Sequence, residues 1–234
     1  MKNLLLTLML GVAAAPAAMA QARAGGDLSS KDYTGGAVTD SRNTGFGIKG
    51  GYNLSNLYGG GKDLLGPTSL NAFHGGVYGQ FGFNQTSSVQ IELLYTRKGY
   101  IANFNSVGGP SYNESQRTTR LNYLQLPILY VANFTKNLSF HIGPQVSLLT
   151  NARVYDQDLA LSAGGFNALD YGAVAGFEGR VGPARIGVRY DLGLGNVYKD
   201  GVSIKYGNNK VADLSSSNLH NQTFQVYLGL GFTQ

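Results

Sequence analysis

The stretch LDYGAVAGFEGRVGPARIGVRYDLGLGN, residues 169–196, decides the fold. Its period is two on both sides of a Gly182-Pro183 pair. One register holds Tyr171, Ala173, Phe177, Val188 and Tyr190, and the other holds Asp170, Glu178, Arg180, Arg185, Arg189 and Asp191. Strict alternation marks a strand whose two faces meet different surroundings. Gly-Pro between two such runs is a turn signal, so the pair reads as a hairpin. A two-residue turn pairs 181 with 184, 180 with 185, 178 with 187 and 176 with 189. Glu178 then lies diagonal to Arg185 and Arg189 on one face, within reach of long side chains. That arrangement predicts an ion-pair network rather than a reactive carboxylate pair.

The same period recurs outward from this hairpin. Eight segments show it: 44–54, 72–83, 88–98, 122–131, 138–149, 169–181, 184–195 and 222–232. Each is close to the 9–11 residues of a tilted membrane strand. Their connections alternate long and short. Residues 55–71, 99–121, 150–168 and 196–221 are long; 84–87, 132–137 and 182–183 are short. Membrane barrels sort their loops in this way, with short periplasmic turns and long extracellular loops, which places both termini in the periplasm. Aromatics decide which face is outside. In the apolar register, Phe46, Phe83, Tyr130, Phe140, Phe177 and Phe232 mark one rim, and Tyr52, Phe73, Tyr95, Tyr171, Tyr190 and Phe224 the other. Aliphatics such as Ile48, Val77, Ile128 and Val188 lie between. An apolar band between two aromatic girdles is a lipid-facing surface. The fold expected is all-β: an eight-stranded antiparallel up-and-down transmembrane barrel.

The opposite register must then face the lumen. It supplies Lys49, Glu92, Lys98, Glu178, Arg180, Arg185, Arg189 and Asp191, with many glycines among them. An eight-stranded barrel is just wide enough for side chains to fill. Glu178, Arg185, Arg189, Asp191, Glu92 and Lys49 form the expected structural ion-pair network. Arg97 breaks the apolar register beside Tyr95. It reads either as a rim residue facing lipid phosphates or as a solvated residue at a loop base.

Composition narrows the rest. The chain has 234 residues, net charge +5, 13% charged residues, 34 glycines and no Cys. Disulfides, thiolate metal sites and cysteine nucleophiles are excluded. The basic residues are dispersed, which argues against nucleic acid. Residues 1–20 carry Lys2, an apolar run from Leu4 to Val12 and Ala18-Met19-Ala20, the pattern of a signal peptide. Residues 21–43 read as a flexible leader and 44–234 as the barrel domain.

The segments GFGIKGGYNLSNL (45–57), FHGGVYGQFGF (73–83), ELLYTRKG (92–99), NYLQLPILY (122–130), HIGPQVSLL (141–149) and YLGLGF (227–232) are similar, in this order, to the PorT-like outer-membrane β-barrel proteins, the "porin family". The resemblance implies a barrel in a Gram-negative outer membrane. Through the family's founding member it raises an accessory role in protein secretion. It carries over no site residue.

No constellation points to catalysis. His74, His141 and His220 are the only histidines and have no chelating spacing. His141, Ser147 and Asp170 could meet only across strands, and no G-x-S-x-G motif is present. Gly59-Gly60-Gly61-Lys62 lacks the rest of a phosphate loop. The expectation is therefore a non-enzyme with no catalytic residue, no metal and no cofactor. It would be a monomeric envelope scaffold in the outer membrane, binding protein or glycan through its extracellular loops. Its other partners would be outer-membrane lipid and, through the terminal YLGLGF strand, the barrel-assembly machinery. The alternatives are passive diffusion of small solutes through a porin-type lumen, and the secretion role.

Overall fold

The computed structural model describes residues 43–103, 116–154, 157–159, 165–206, 209–213 and 218–232; of these, 116, 157–159, 203–206 and 209–213 are described as backbone only. The signal peptide and all but the last residue of the leader lie outside the described residues. The strands in chain order are β1 Gly45–Gly59, β2 Thr68–Gly82, β3 Ser87–Asn103, β4 Gln116–Asn133, β5 Leu138–Val154, β6 Gln157–Leu159, β7 Leu169–Val181, β8 Ala184–Gly193, β9 Ser203–Tyr206, β10 Asn209–Asp213 and β11 Leu219–Phe232.

Eight of them close a barrel. The order runs β4-β3-β2-β1-β11-β8-β7-β5, and β4 pairs back with β5, so no edge is left. Every pairing is antiparallel, and β11 meets β1 from Phe46–Phe232 to Gly59–Leu219. Closure lets every strand satisfy its backbone groups on both sides, as a chain in hydrocarbon must.

The hairpin at 169–193 has the register expected of it: Val181 opposes Ala184, Arg180 opposes Arg185, Glu178 opposes Gly187 and Gly176 opposes Arg189. The short turns carry their own local chemistry. Asn84 Oδ1 accepts from the backbone N–H groups of Thr86 and Ser87 in the β2–β3 turn. Thr135 Oγ1 accepts from Asn137 and Leu138 in the β4–β5 turn. Each such side chain imitates a backbone turn and fixes the hairpin.

Most strands are longer at the other end than the sequence pattern indicated, although β7 begins at Leu169 as expected and β8 ends at Gly193 rather than 195. The segments expected to finish at 54, 98 and 149 continue to Gly59, Asn103 and Val154, and β4 begins at Gln116 rather than 122. Bilayer thickness sets the 9–11 residues that show lipid-facing alternation, but the ladder need not stop there. The long connections carry strands of their own: β6 folds back on β5, and β9–β10 form a separate hairpin.

The outward face of the spanning part is apolar: Phe46, Ile48, Tyr52, Val77, Phe177 and Leu228 are all exposed. Rings pair across the closure seam and across β5–β7, as with Phe46 and Phe232, 5.7 Å between centroids, and Phe140 and Phe177, 5.2 Å. The inward face is polar and buried. Two glycines make room in it. A Cβ on Gly187 would stand 2.2 Å from Tyr227 Cζ, and one on Gly47 2.4 Å from the Tyr78 hydroxyl. Both tyrosines lie flat across the lumen only because those positions carry no side chain.

Candidate functional site

β8 is the spine of the lumen. Its burial alternates residue by residue, and its inward positions Arg185, Arg189 and Asp191 each reach a different partner group. Nearest the short turns, Glu178 accepts from Arg185 Nη1 at 3.0 Å, Arg180 Nε at 3.2 Å and the Tyr227 hydroxyl at 2.9 Å. One step along, Glu92 holds Lys49 Nζ at 2.7 Å and Arg189 Nη1 at 2.6 Å. Gln90 Nε2 also donates to Glu92, at 2.6 Å. Farther along, Lys98 Nζ lies 2.8 Å from Asp191 and 3.8 Å from Asp170, and Gln125 donates to Asp191 at 2.7 Å.

The structure therefore brings all six expected lumen residues inside, but in other pairs than the hairpin alone indicated. Arg189 bonds Glu92, not Glu178; Arg180 takes the second guanidinium place on Glu178. Two residues beyond the Glu178 level, Arg189 points across the lumen to β3, whereas Arg180 remains beside Glu178 on its own strand. Asp191 joins neither arginine carboxylate group and instead pairs with Lys98.

Neutral groups fill the gaps. Gln80 accepts from Arg185 at 2.8 Å, and Gln225 accepts from Arg189 at 2.5 Å while donating to Asn53 at 3.0 Å. The rings of Tyr78 and Tyr227 sandwich the Lys49 ammonium, at 5.1 and 4.3 Å from the centroids. These tyrosine and glutamine partners escaped the sequence reading. Their inward register was legible, but nothing in the pattern says which residues meet across a lumen.

A second feature closes the long-loop end. Leu57, Leu65, Tyr100, Leu121, Phe166 and Tyr198 belong to one buried apolar cluster above the ion pairs. Its members come from β1, the 60–67 connection, β3, β4, β5, β11 and the connections on either side of β7–β8. The hydroxyls of Tyr100 and Tyr198 are hydrogen-bonded inside it. Burial pushes the Tyr198 phenol well above its ordinary range. Asn167 Nδ2 ties the two connections together, donating to the carbonyls of Asn196 at 2.8 Å and Tyr198 at 2.9 Å. Asn103 N–H reaches the Leu65 carbonyl at 2.8 Å, and Val197 N–H reaches that of Leu219 at 2.8 Å.

Arg97 points outward. Its Nε donates to Asn122 Oδ1 at 2.8 Å and its guanidinium stacks on Phe73, 4.8 Å from the ring centroid. It thus stands within the aromatic rim, one outward position beyond the exposed Tyr95.

Ser147 and Asp170 oppose each other on β5 and β7, but His141 does not join them. Ser147 Oγ donates to Gln145 at 2.6 Å, whereas His141 Nε2 lies 3.0 Å from Ser139 Oγ and 3.9 Å from Glu178. Both of those neighbours address the same ring nitrogen, so they cannot form a relay in which one nitrogen takes a proton and the other is oriented. Among the described residues, no three His, Asp or Glu side chains gather as metal ligands would.

Similar solved structures include Ail, the attachment invasion locus protein of Yersinia pestis, crystallised with the heparin analogue sucrose octasulfate (13% identity, 81% of this chain and 99% of that one, TM-score 0.43). Neisserial surface protein A (15%, 80% and 97%, TM-score 0.47) and OprG from Pseudomonas aeruginosa (13%, 83% and 100%, TM-score 0.40) are others. No curated protein matches the sequence. A family model described as "Outer membrane protein beta-barrel domain" matches residues 19–199. With its closed eight-stranded wall and apolar outer band, the chain belongs to this outer membrane protein β-barrel family.

Proposed function

We propose that this outer-membrane barrel is a non-conducting, non-enzymatic envelope scaffold that acts through its long-loop end, turned to the cell exterior. The filled lumen is the observation that supports it. Three ion-pair groups are stacked along it and a buried apolar cluster lies above them, which supports a lumen without a free path for solutes. Barrels that pass solutes freely use about 16–18 strands.

Planar-bilayer recording from the purified monomer tests this. The expected outcome is no stable conductance steps; large, steady, ion-selective currents would overturn the scaffold reading in favour of passive diffusion. The strand motifs shared with PorT-like barrels favour a second reading, an accessory of a protein-secretion system. Crosslinking from the outer tip separates the two. Capture of secretion components would support the accessory role, and capture of surface glycan or an exterior protein the scaffold role.

A further inference from the structure

Charge is not balanced along the lumen. Nearest the short turns, Glu178 serves Arg180 and Arg185, and one step along Glu92 serves Lys49 and Arg189. Two carboxylates there face four cations, which leaves an excess of two positive charges. Farther along, Asp170 and Asp191 face Lys98, and the excess is negative. Lys136, exposed in the β4–β5 turn, adds to the positive end. The remaining described Asp and Glu side chains, Asp63 and Asp200, stand in the long connections at the opposite end. Enclosing uncompensated charge is costly, and a counter-ion offsets that cost.

The positive end also holds donors that lack acceptors. The Tyr78 hydroxyl is buried and has no hydrogen-bond partner among the described residues, and the same is true of Arg180 Nη2. Arg185 bonds Gln80 and Glu178, and both bonds leave from Nη1. That leaves its Nε–Nη2 edge, the side of a guanidinium that grips an oxyanion with two parallel bonds. Gly231 shows where this edge points. A Cβ there would stand 2.9 Å from the Tyr78 hydroxyl, 3.3 Å from Arg185 Nε and 3.5 Å from Arg185 Nη2. Donors from two side chains thus converge beside a residue that has no side chain of its own. The Arg185 guanidinium stacks on the Tyr78 ring, 4.6 Å from its centroid, and the charge of Arg180 acts on the same phenol. Buried polar groups are nearly always paired, so convergent donors in a positive environment mark a place for an acceptor that carries negative charge.

We propose that Tyr78, Arg185 and Arg180 form a binding site for a small free oxyanion, a carboxylate or inorganic phosphate, at the short-turn end of the lumen. The Arg185 edge takes two oxygens, the Tyr78 hydroxyl donates to one of them, and Arg180 supplies the second charge. The Arg180 and Arg185 side chains are 13% and 9% exposed, which favours a small ion over a carboxylate carried on a chain. Detergent-solubilised protein is titrated with inorganic phosphate, with acetate and with an N-acetylated alanine tripeptide bearing a free carboxylate. Ionic strength is held constant with sodium chloride, whose spherical anion cannot bridge the two N–H groups of the edge. The temperature at which the heat-modifiable barrel band is lost is the readout.

Phosphate and acetate are expected to raise that temperature saturably, and the tripeptide to leave it unchanged. Tyr78→Phe keeps the ring beside Lys49 and removes only the hydroxyl. It should raise the half-saturating concentration about tenfold, the worth of one hydrogen bond to a charged acceptor. Without added oxyanion the same variant should lose its band at a temperature no lower than the unaltered chain, because that hydroxyl bonds nothing in the wall. Arg180→Gln, which leaves the Arg185–Glu178 pair in place, should weaken the response by a similar factor. Absence of a saturable shift with either oxyanion would overturn the site, as would titrations unchanged in both variants. A lower oxyanion-free temperature for Tyr78→Phe would show the hydroxyl to be part of the packing and overturn its role as a ligand. A response to the tripeptide at lower concentration than to acetate would overturn the assignment to a free ion.

Discussion

Glu178 and Glu92 are each fully buried and each holds two cations. Glu178→Ala leaves Arg180 and Arg185 without their carboxylate, and Glu92→Ala does the same to Lys49 and Arg189. Removing one partner of a buried pair strands charge in a low dielectric and costs about 3–5 kcal/mol. Urea unfolding from lipid vesicles should show a loss of that size for each variant, and a near-zero change would mean that water reaches the cluster. Which side chains face inward was legible, because alternation within each strand fixes the face of Lys49, Glu92, Glu178, Arg185, Arg189 and Asp191. Which of them pair was not. Glu92 and Arg189 lie 97 residues apart and on opposite walls, so their meeting depends on barrel diameter and strand tilt, which a period-two pattern does not encode. The hairpin pairs 180–185 and 178–187 were legible because a two-residue turn leaves one register only.

The element that closes the wall is β11, paired on one side with β1 and on the other with β8. Deleting 222–234 would leave both neighbours with unpaired backbone in lipid, which is not tolerated. The truncated chain should fail to accumulate in the outer membrane, and normal levels of its heat-modifiable band would contradict the closed architecture. The connections hold the part of the molecule that the sequence concealed. Leu65, Phe166 and Val197 are apolar residues without any period, and each enters the cluster across the mouth. Leu65 is fully buried in a connection read as a plain loop. Leu65→Ala should cost about 2–5 kcal/mol, as a buried leucine does in a core. Limited proteolysis should show faster cleavage at the long-loop end while the spanning strands stay protected; cleavage no faster than in the unaltered chain would place Leu65 outside the packing that matters.

On the scale of the whole molecule, the two ends differ in build and so can be told apart. Gly60 stands at an exposed tip where an added Cβ meets nothing within 4 Å, and Gln85 is exposed in the β2–β3 turn. In a chain with no native Cys, Gly60→Cys should react with an impermeant maleimide on intact cells and Gln85→Cys only after permeabilisation. Asn113 and Asn208, on the long connections, lie outside the described residues. Asn167 is unsuited to the same use, because its amide binds the two connections together. The lumen network also says something about how the barrel comes into being. Gln225 reaches Asn53 over 172 residues, Arg185 reaches Gln80 over 105, and Tyr58 donates to the Gly193 carbonyl over 135. None of these links can form while the sheet is still open. Until then, Lys49, Glu92 and Arg189 keep their hydration and cannot be enclosed dry. The last strand to dock therefore triggers dehydration of the interior in one event, so a half-built barrel gains almost none of the final stability and assembly intermediates should be short-lived, wet and easily digested.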